Sequence, residues 1–409
     1  MANNAPMLDF ASISGGTAPL TVLPPLSLYI HIPWCVRKCP YCDFNSHEAA
    51  GEAPERRYID ALISDLDHAI PKIWGRRVYS IFFGGGTPSL FSAQGIDEIL
   101  AAVRARVVLD TQAEITLEAN PGTFEAEKFR GYRDAGINRL SIGIQSFNEQ
   151  HLHALGRIHN SGEARRAIEI AQANFDNINL DVMFALPGTE KRQTLEECEQ
   201  DIDTALSFGT NHLSIYHLTL EANTLFHRFP PALPDDDVAA DMQEMIAQKL
   251  GDTGYAHYET SAYAKPGWEC RHNLNYWRFG DYLGIGAGAH GKISFPDRIT
   301  RESRYKQPNA FMENAFVGTA IQEEKIIPRA ELAFEFMLNA LRLTDGFAAS
   351  VFTERTGLPI TAISRQLDIA EARGLITRDI KHVRPTEKGQ LFLNDLLEMF
   401  LPDHAESAR

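Results

Sequence analysis

The chain has 409 residues, 44% hydrophobic and 23% charged, with a formal net charge of −15. That composition excludes a collagen-like or disordered chain, and no apolar run reaches the ~18 residues of a membrane helix. The acidic balance argues against nucleic acid or anionic lipid as the main partner, because both are held through basic surfaces.

Residues 1–25 are small, polar and contain Pro and Gly. They lack the basic start and apolar centre of a secretory signal and read as a flexible extension, so the location expected by default is cytoplasmic. A β/α alternation then begins. Buried parallel strands are expected at Leu28–Ile32, Val78–Phe83, Ile115–Leu117, Leu140–Ile144, Leu180–Phe184 and Leu213–Tyr216. Helices are expected between and after them at Glu55–Ile70, Ser92–Arg104, Glu125–Asp134, Asn148–Leu155, Gly162–Asn174 and Thr194–Ser207. Six strand–helix units with right-handed crossovers give an α/β fold, either an open doubly wound sheet or a partial barrel.

After His217 the rhythm breaks. The Pro-rich segment Phe229–Pro234 marks a connection, Asp235–Leu250 reads as a helix, and Tyr255–Phe295 is rich in Gly and aromatic residues. From about Arg329 the pattern is helix, helix, then short strands. Pro359–Arg373 is amphipathic and Gly374 can stop it. Leu375–Thr377 and His382–Arg384 can pair as a hairpin, and Pro385–Phe400 closes as a helix. This is the outline of an α+β winged-helix unit without a basic recognition helix. The expected division is an extension over 1–25, a barrel over 26–228, a connecting region over 229–325 and a winged-helix-like domain over 326–409.

The chemistry-bearing residues follow the strands. Three of the five cysteines, Cys35, Cys39 and Cys42, stand in a C-x3-C-x2-C loop after the first strand. Cysteines clustered this way bind metal or carry redox chemistry more often than they form disulfides. A closed zinc site needs a fourth ligand, for which His31 and His47 are at hand. Three thiolates can also hold three irons of a [4Fe–4S] cube and leave the fourth iron open. Gly84-Gly85-Gly86-Thr87-Pro88 follows the second strand, where backbone amides can approach a ligand's amino-acid end. Glu118 ends the third strand, Gln145 ends the fourth and Asp181 lies in the fifth. A carboxylate at the end of a buried strand needs a partner, such as a ribose diol, an amine or an arginine. Functional groups at the C-terminal ends of parallel strands place one pocket on one face of the sheet.

The cysteine spacing is the signature of radical S-adenosylmethionine (SAM) proteins. With YIHIPWCVRKCPYCDFNSH (Tyr29–His47), FFGGGTPS (Phe82–Ser89), LEANPG (Leu117–Gly122), LSIGIQSFN (Leu140–Asn148), LDVMFALPG (Leu180–Gly188) and HNLNYW (His272–Trp277), the chain resembles the oxygen-independent coproporphyrinogen dehydrogenase (HemN-like) family. Within it the chain is most similar to the HemW-type haem-chaperone branch, over nearly its whole length after residue 25. The resemblance implies a six-unit partial (β/α) barrel. It makes Cys35, Cys39 and Cys42 the ligands of a [4Fe–4S] cluster and puts Tyr29, Gly85 and Glu118 at SAM. Tyr41, Gly86, Thr87, Gln145, Arg157 and Asp181 match positions that also contact SAM in the dehydrogenases, which bind a second one. It further implies haem as cargo, a haem-acceptor protein and a reductant for the cluster.

Phe44 stands where the dehydrogenases carry a fourth cysteine, and the segment before Tyr29 is short. Both departures favour a haem chaperone over an enzyme that decarboxylates coproporphyrinogen. His272, in the HNxxYW segment, is the expected haem residue by resemblance. Read from the residues alone, it bonds to backbone while Tyr276 and Trp277 fill the core. His290, on a Gly-rich turn, and Cys270 are further candidate ligands, and Cys198 reads as a small core residue.

Overall fold

Six parallel strands carry the site, and their spacing in the sequence is their order in space. They are β1 (Leu26–Ile32), β2 (Arg77–Gly85), β3 (Val108–Ala119), β4 (Arg139–Gln145), β5 (Ile178–Phe184) and β6 (His212–His217). The computed structural model describes residues 20–402 except 21, 50, 52 and 123–125. Most of the expected N-terminal extension, and Glu125 of the expected third helix, lie outside the described residues.

Each strand pairs in parallel with the next, so the order runs β1 to β6 without reversal. A doubly wound sheet would reverse direction at a switch point. The fold is a partial (β/α) barrel. The strands are longer than the apolar runs suggested, most of all β3, which extends from Val108 through its polar start.

The expected connecting region continues the same sheet at both edges. Asp281–Ile285 (β9) lies parallel to β1, and His290–Ser294 (β10), Ile299–Arg304 (β11) and Ile321–Ile326 (β12) follow it in antiparallel order. On the far side Ala262–Ala264 (β8) pairs antiparallel with β6, and Ala256–Glu259 (β7) with β8. The sheet thus has twelve strands. Within Tyr255–Phe295 the segment Arg271–Trp277 forms a short helix.

Helices cover the outer face of the six strands. Ser92 caps Ala93–Arg106 through its hydroxyl. Ser161–Gln172 and Leu195–Ser207 each start on a capping box, Asn160 with Glu163 and Thr194 with Glu197. Such boxes satisfy two of the orphan N–H groups of a first turn. Leu140, Ile142, Ile144, Leu180, Val182, Leu213 and Ile215 point outward into this apolar layer.

The C-terminal unit has its own apolar cluster around Phe336, Phe347 and Phe352, which also takes in Phe279 and Ile299. The expected hairpin is present: Ile376–Arg378 pairs antiparallel with His382–Pro385, and Phe347–Ala348 joins on the other side. Gly374 has φ +70°, which is where the preceding helix ends. The closing helix is two short ones, Glu387–Leu391 and Leu393–Glu398, broken at Phe392.

Candidate functional site

The cysteine loop leaves β1 at the C-terminal end of the strands. Trp34–Cys35 pairs in parallel with His47–Glu48, which ties the two ends of the loop together. Inside it the Cys42 N–H donates to Cys39 O at 3.2 Å. All three cysteines are half-buried and free, and they line one cavity of about 440 Å³. Thr87 Oγ1 lies 3.5 Å from Cys35 Sγ, Ser46 Oγ 3.8 Å from Cys42 Sγ, and Arg157 Nη1 3.8 Å from Cys39 Sγ. Each sulfur therefore has at least one polar neighbour that can donate to a thiolate.

The glycine turn lines the cavity, and its amides are taken up by the protein. Gly85 has φ +113°, and a Cβ there would stand 2.5 Å from the His31 ring. A Cβ on Gly86 would stand 2.5 Å from Trp34 O. The amides of Gly86 and Thr87 donate to Ile32 O and Trp34 O at 2.7 Å each. The Gly85 N–H points to Glu118 Oε2 at 3.3 Å. The sequence reading gave these amides to a ligand's amino-acid end; in the fold they bind the cysteine-loop strand to β2. The reason is close backbone approach, which only glycine allows here.

Arg157 crosses the cavity floor. Its Nη2 donates to Asn120 Oδ1 at 2.7 Å and to Gly143 O at 2.6 Å, and Asn120 Nδ2 donates to Thr87 Oγ1 at 2.9 Å. Its buried Nε has no partner among the described residues. Gln145 has φ +69°, an uncommon backbone for a residue with a side chain, at the point where the β4–β5 register shifts. It lines the same cavity. Tyr41 lines it too and stacks at a tilt on Phe226.

Glu118 and Asp181 line this cavity and form no ion pair within 4 Å among the described residues. Burial, and then the Asp181 charge, push Glu118 up to about 8, against a lowering by the Gly85 N–H. Burial likewise raises Asp181 to about 6, although Asn179 and Ser141 donate to it at 2.8 and 3.1 Å. The folded ligand-free chain thus holds a proton on Glu118 that the unfolded carboxyl gives up near pH 4.5. Its contribution to stability is full below that pH and is lost as pH rises through about 8. Between about pH 6 and pH 8.5 the wild type is expected to lose roughly 2 kcal/mol more than Glu118→Gln. Urea midpoints at the two pH values measure this, and parallel losses in both proteins would remove Glu118 as the cause.

Tyr29 donates or accepts through its hydroxyl at His31 Nδ1, 2.8 Å away, and lines a second cavity beyond Gly85. His272 lines the smaller cavity, and its ring is held by protein partners. It is buried, its Nδ1–H donates to Glu114 Oε1 at 2.9 Å, and the Cys270 sulfur lies 3.2 Å from Nδ1 and 3.4 Å from Nε2. Its ring stacks on Phe82 with centroids 4.2 Å apart. Burial would raise Glu114, but the His272 N–H, the Arg139 charge and the Arg271 N–H hold it down at about 2. Burial pushes His272 the other way, toward the neutral ring. Arg139 Nε, 4.0 Å from Glu114, already supplies a fixed positive charge, so this cluster is an ion-paired support for the Arg271–Trp277 helix. Cys198 is buried in the core, as expected.

Glu114, Asn120, Arg139, Ser141, Asn179, Ser214 and Tyr216 were not singled out from the sequence. The signal for most of them is alternation. Arg139, Ser141, Gly143 and Gln145 alternate with Leu140, Ile142 and Ile144, and Asn179 and Asp181 with Leu180 and Val182. A period of two puts these polar groups on the barrel's inner face, where they line the cavity.

The donor set fits a [4Fe–4S] cluster and SAM. Three free thiols converge on one loop, and the cavity beside them is lined by Glu118 and Asp181, both raised by burial, and by an arginine with an orphaned Nε among the described residues. A sulfonium with an amine and a carboxylate complements such a set, and a zinc ion would leave the cavity's polar wall without a role.

Residues 29–202 match the Radical SAM superfamily and residues 327–392 match the HemN C-terminal domain. The "Heme chaperone HemW" of Escherichia coli (strain K12) is 50% identical over 383 residues, which cover 93% of this chain and 99% of that one. The protein of the same name from Bacillus subtilis (strain 168) is 34% identical over 384 residues, 92% and 99% of the two chains. The solved coproporphyrinogen III oxidase (HemN) from Escherichia coli matches with a TM-score of 0.78 at 22% identity, over 92% of this chain and 90% of that one, and so shares the fold. With its cysteine loop, its partial barrel and relatives alike from end to end, the chain belongs to the HemW family of radical SAM proteins.

Proposed function

We propose that this chain is a haem chaperone, which binds haem and passes it to an acceptor protein on a scaffold that carries a [4Fe–4S] cluster and SAM. The observation that carries the reading is the double role of the cysteine loop. Cys42, Asp43, Phe44 and Ser46 line the 440 Å³ cavity on one side and a larger cavity of about 940 Å³ on the other. A change at the cluster is thereby a change in the wall of a space large enough for a porphyrin.

In this reading Cys35, Cys39 and Cys42 hold three irons. Tyr29, which lines the larger cavity, and Gly85 and Glu118, which line both, border the SAM nearest the loop, while Tyr41, Gly86, Thr87, Gln145, Arg157 and Asp181 line the smaller cavity. When bound, the reduced cluster supplies an electron to the sulfonium, for which an external reductant is needed. The chain's own part is to present Glu118 to a cation, to anchor Arg157 between Asn120 and Gly143, and to keep water from the half-buried sulfurs.

The rival reading is oxidative decarboxylation of coproporphyrinogen III. Phe44, exposed at the loop, occupies the position of the dehydrogenases' fourth cysteine and offers no thiol there. Anaerobically reconstituted protein is expected to bind haem in a one-to-one ratio. Given coproporphyrinogen, SAM and a strong reductant, it is expected to make no protoporphyrinogen. Protoporphyrinogen at a rate above the Cys39→Ala control would overturn the chaperone reading.

A further inference from the structure

We infer that the rim of the cysteine loop around Val36, Arg37 and Ile158 is the face on which an acidic one-electron carrier protein docks to reduce the cluster. This rests on the cluster reading and goes beyond it by naming the carrier's chemistry and its place. A small cleft is lined by Val36, Arg37, Cys39, Pro121, Arg157 and Ile158, with His159 beside them. Val36, Pro121, Ile158 and His159 line neither of the two larger cavities. The cleft holds about 30 Å³, the room of one water molecule, so it takes no small-molecule ligand. What it offers is its rim, to the surface of another protein.

Cys39 singles out this face. Of the three cysteines it alone lines the cleft among the described residues, and it lines the smaller cavity as well. One sulfur is thus shared between cavity and cleft, with Arg157 Nη1 at 3.8 Å. An electron that enters here has a single half-buried side chain to cross. One electron leaves the carrier, which is oxidised, and the cluster is reduced; no bond breaks and no proton moves.

Charge and apolar exposure give the partner's chemistry. A net charge of −15 by itself repels an acidic protein. The cleft is the reverse of that balance: Arg37 and Arg157 line it, and no carboxylate does among the described residues. Arg37 is exposed and makes no hydrogen bond or ion pair among them. Burial, and then the Arg157 charge, hold His159 down at about 3, so at neutral pH the positive charge is that of the two arginines. Val36 and Ile158 are 52% and 51% exposed on the same rim. An unpaired cation beside two exposed aliphatic side chains complements an acidic surface with an apolar centre. Weak electron-transfer encounters bury less than about 1,200 Å², so a patch of this size is enough.

The test uses purified flavodoxin, an acidic flavin carrier, and dithionite, a small ion that needs no docking face. Stopped-flow absorption and electron paramagnetic resonance follow reduction of the anaerobically reconstituted full chain, and calorimetry gives the Kd of oxidised flavodoxin on the reconstituted and the cluster-free chain. Arg37→Glu is expected to slow reduction by flavodoxin hydroquinone about tenfold and to weaken Kd about as much at low salt. The difference should shrink to about twofold near 0.5 M salt. Ile158→Asp should weaken Kd at least about threefold. Lys381→Glu, exposed between the strands of the C-terminal hairpin, should match wild type. Dithionite should reduce all four proteins at rates within about twofold. Wild-type flavodoxin rates and Kd in both Arg37→Glu and Ile158→Asp, or equal weakening in Lys381→Glu, would overturn the docking face and leave the cluster reading intact. Wild type that dithionite reduces but flavodoxin neither binds nor reduces would overturn it equally. Wild type with no reduced-cluster signal even in dithionite would overturn the cluster reading, and the docking face with it.

Discussion

Cys39→Ala is expected to come out of anaerobic reconstitution with almost no iron and no acid-labile sulfide, and without the broad absorption of a [4Fe–4S] cluster. Cys35, Cys39 and Cys42 sit on one loop whose ends are tied by the Trp34–Cys35 and His47–Glu48 ladder. A cube held by three thiolates has one iron free for SAM, so removing one thiolate leaves two, too few to retain the cluster. Cys39 is half-buried, with Arg157 Nη1 as its polar neighbour at 3.8 Å. Its truncation removes little packing and should shift stability by less than about 1 kcal/mol. Loss of iron, with the unfolding midpoints of the two cluster-free proteins unchanged, therefore reports ligation and not misfolding. Wild-type iron and sulfide in the variant would refute the assignment of Cys39. Zinc in place of iron in the wild-type protein would refute the cluster.

The largest effect on stability is expected at Glu114. This carboxylate is buried in β3 and accepts from the His272 ring and from the backbone N–H groups of Arg271 and His272. It also faces Arg139, whose side chain is 2% exposed and whose Nε has no hydrogen-bond partner among the described residues. Glu114→Ala strands that guanidinium and frees both backbone donors. Breaking a buried pair by removing one partner costs about 3–5 kcal/mol. Denaturant unfolding of the ligand-free protein measures it, and a cost under about 1 kcal/mol would mean that water or Asp181 takes over. The sign with pH also follows. A carboxyl held at about 2 contributes stability above its unfolded value of 4.5, and loses it as pH falls toward 2. Glu114→Gln should therefore differ most from wild type above about pH 5 and converge with it in acid.

The two variants bear on different parts of the molecule. Cys39 touches the cluster's place directly, while Glu114 acts on the helix Arg271–Trp277. That helix presents Tyr276 and Trp277 to the larger cavity and His272 and Asn273 to the smaller one. Glu114 on β3 and Arg139 on β4 lie side by side beneath the helix, 4.0 Å apart.

Much of this was legible in the residues. Local pattern set the six strands and the helices over them, because an apolar run between Gly, Pro and capping residues has few other uses. Ser92, Asn160 and Thr194 cap where capping residues should. The cysteine spacing placed three thiols on one loop, since seven residues of chain cannot carry them far apart. The hairpin and Gly374 of the C-terminal unit were equally local.

What the sequence by itself determined was therefore the β/α rhythm, the cysteine loop, and the end of the strands at which Glu118, Gln145 and Asp181 stand. Tertiary structure alone decided the rest. It made the barrel single-wound, brought β9 beside β1, and set Glu114 against His272 across 158 positions. It also turned the glycine amides inward, to Ile32 and Trp34 instead of a ligand. It paired His272 with Glu114 at the edge of the smaller cavity and left His290 facing the larger one. The physical reason is range. Capping, alternation and motif spacing act over a few residues and are written in the local order. Burial, ion pairing and the partner of each N–H depend on which distant strand lies alongside, and that is fixed only when the sheet closes.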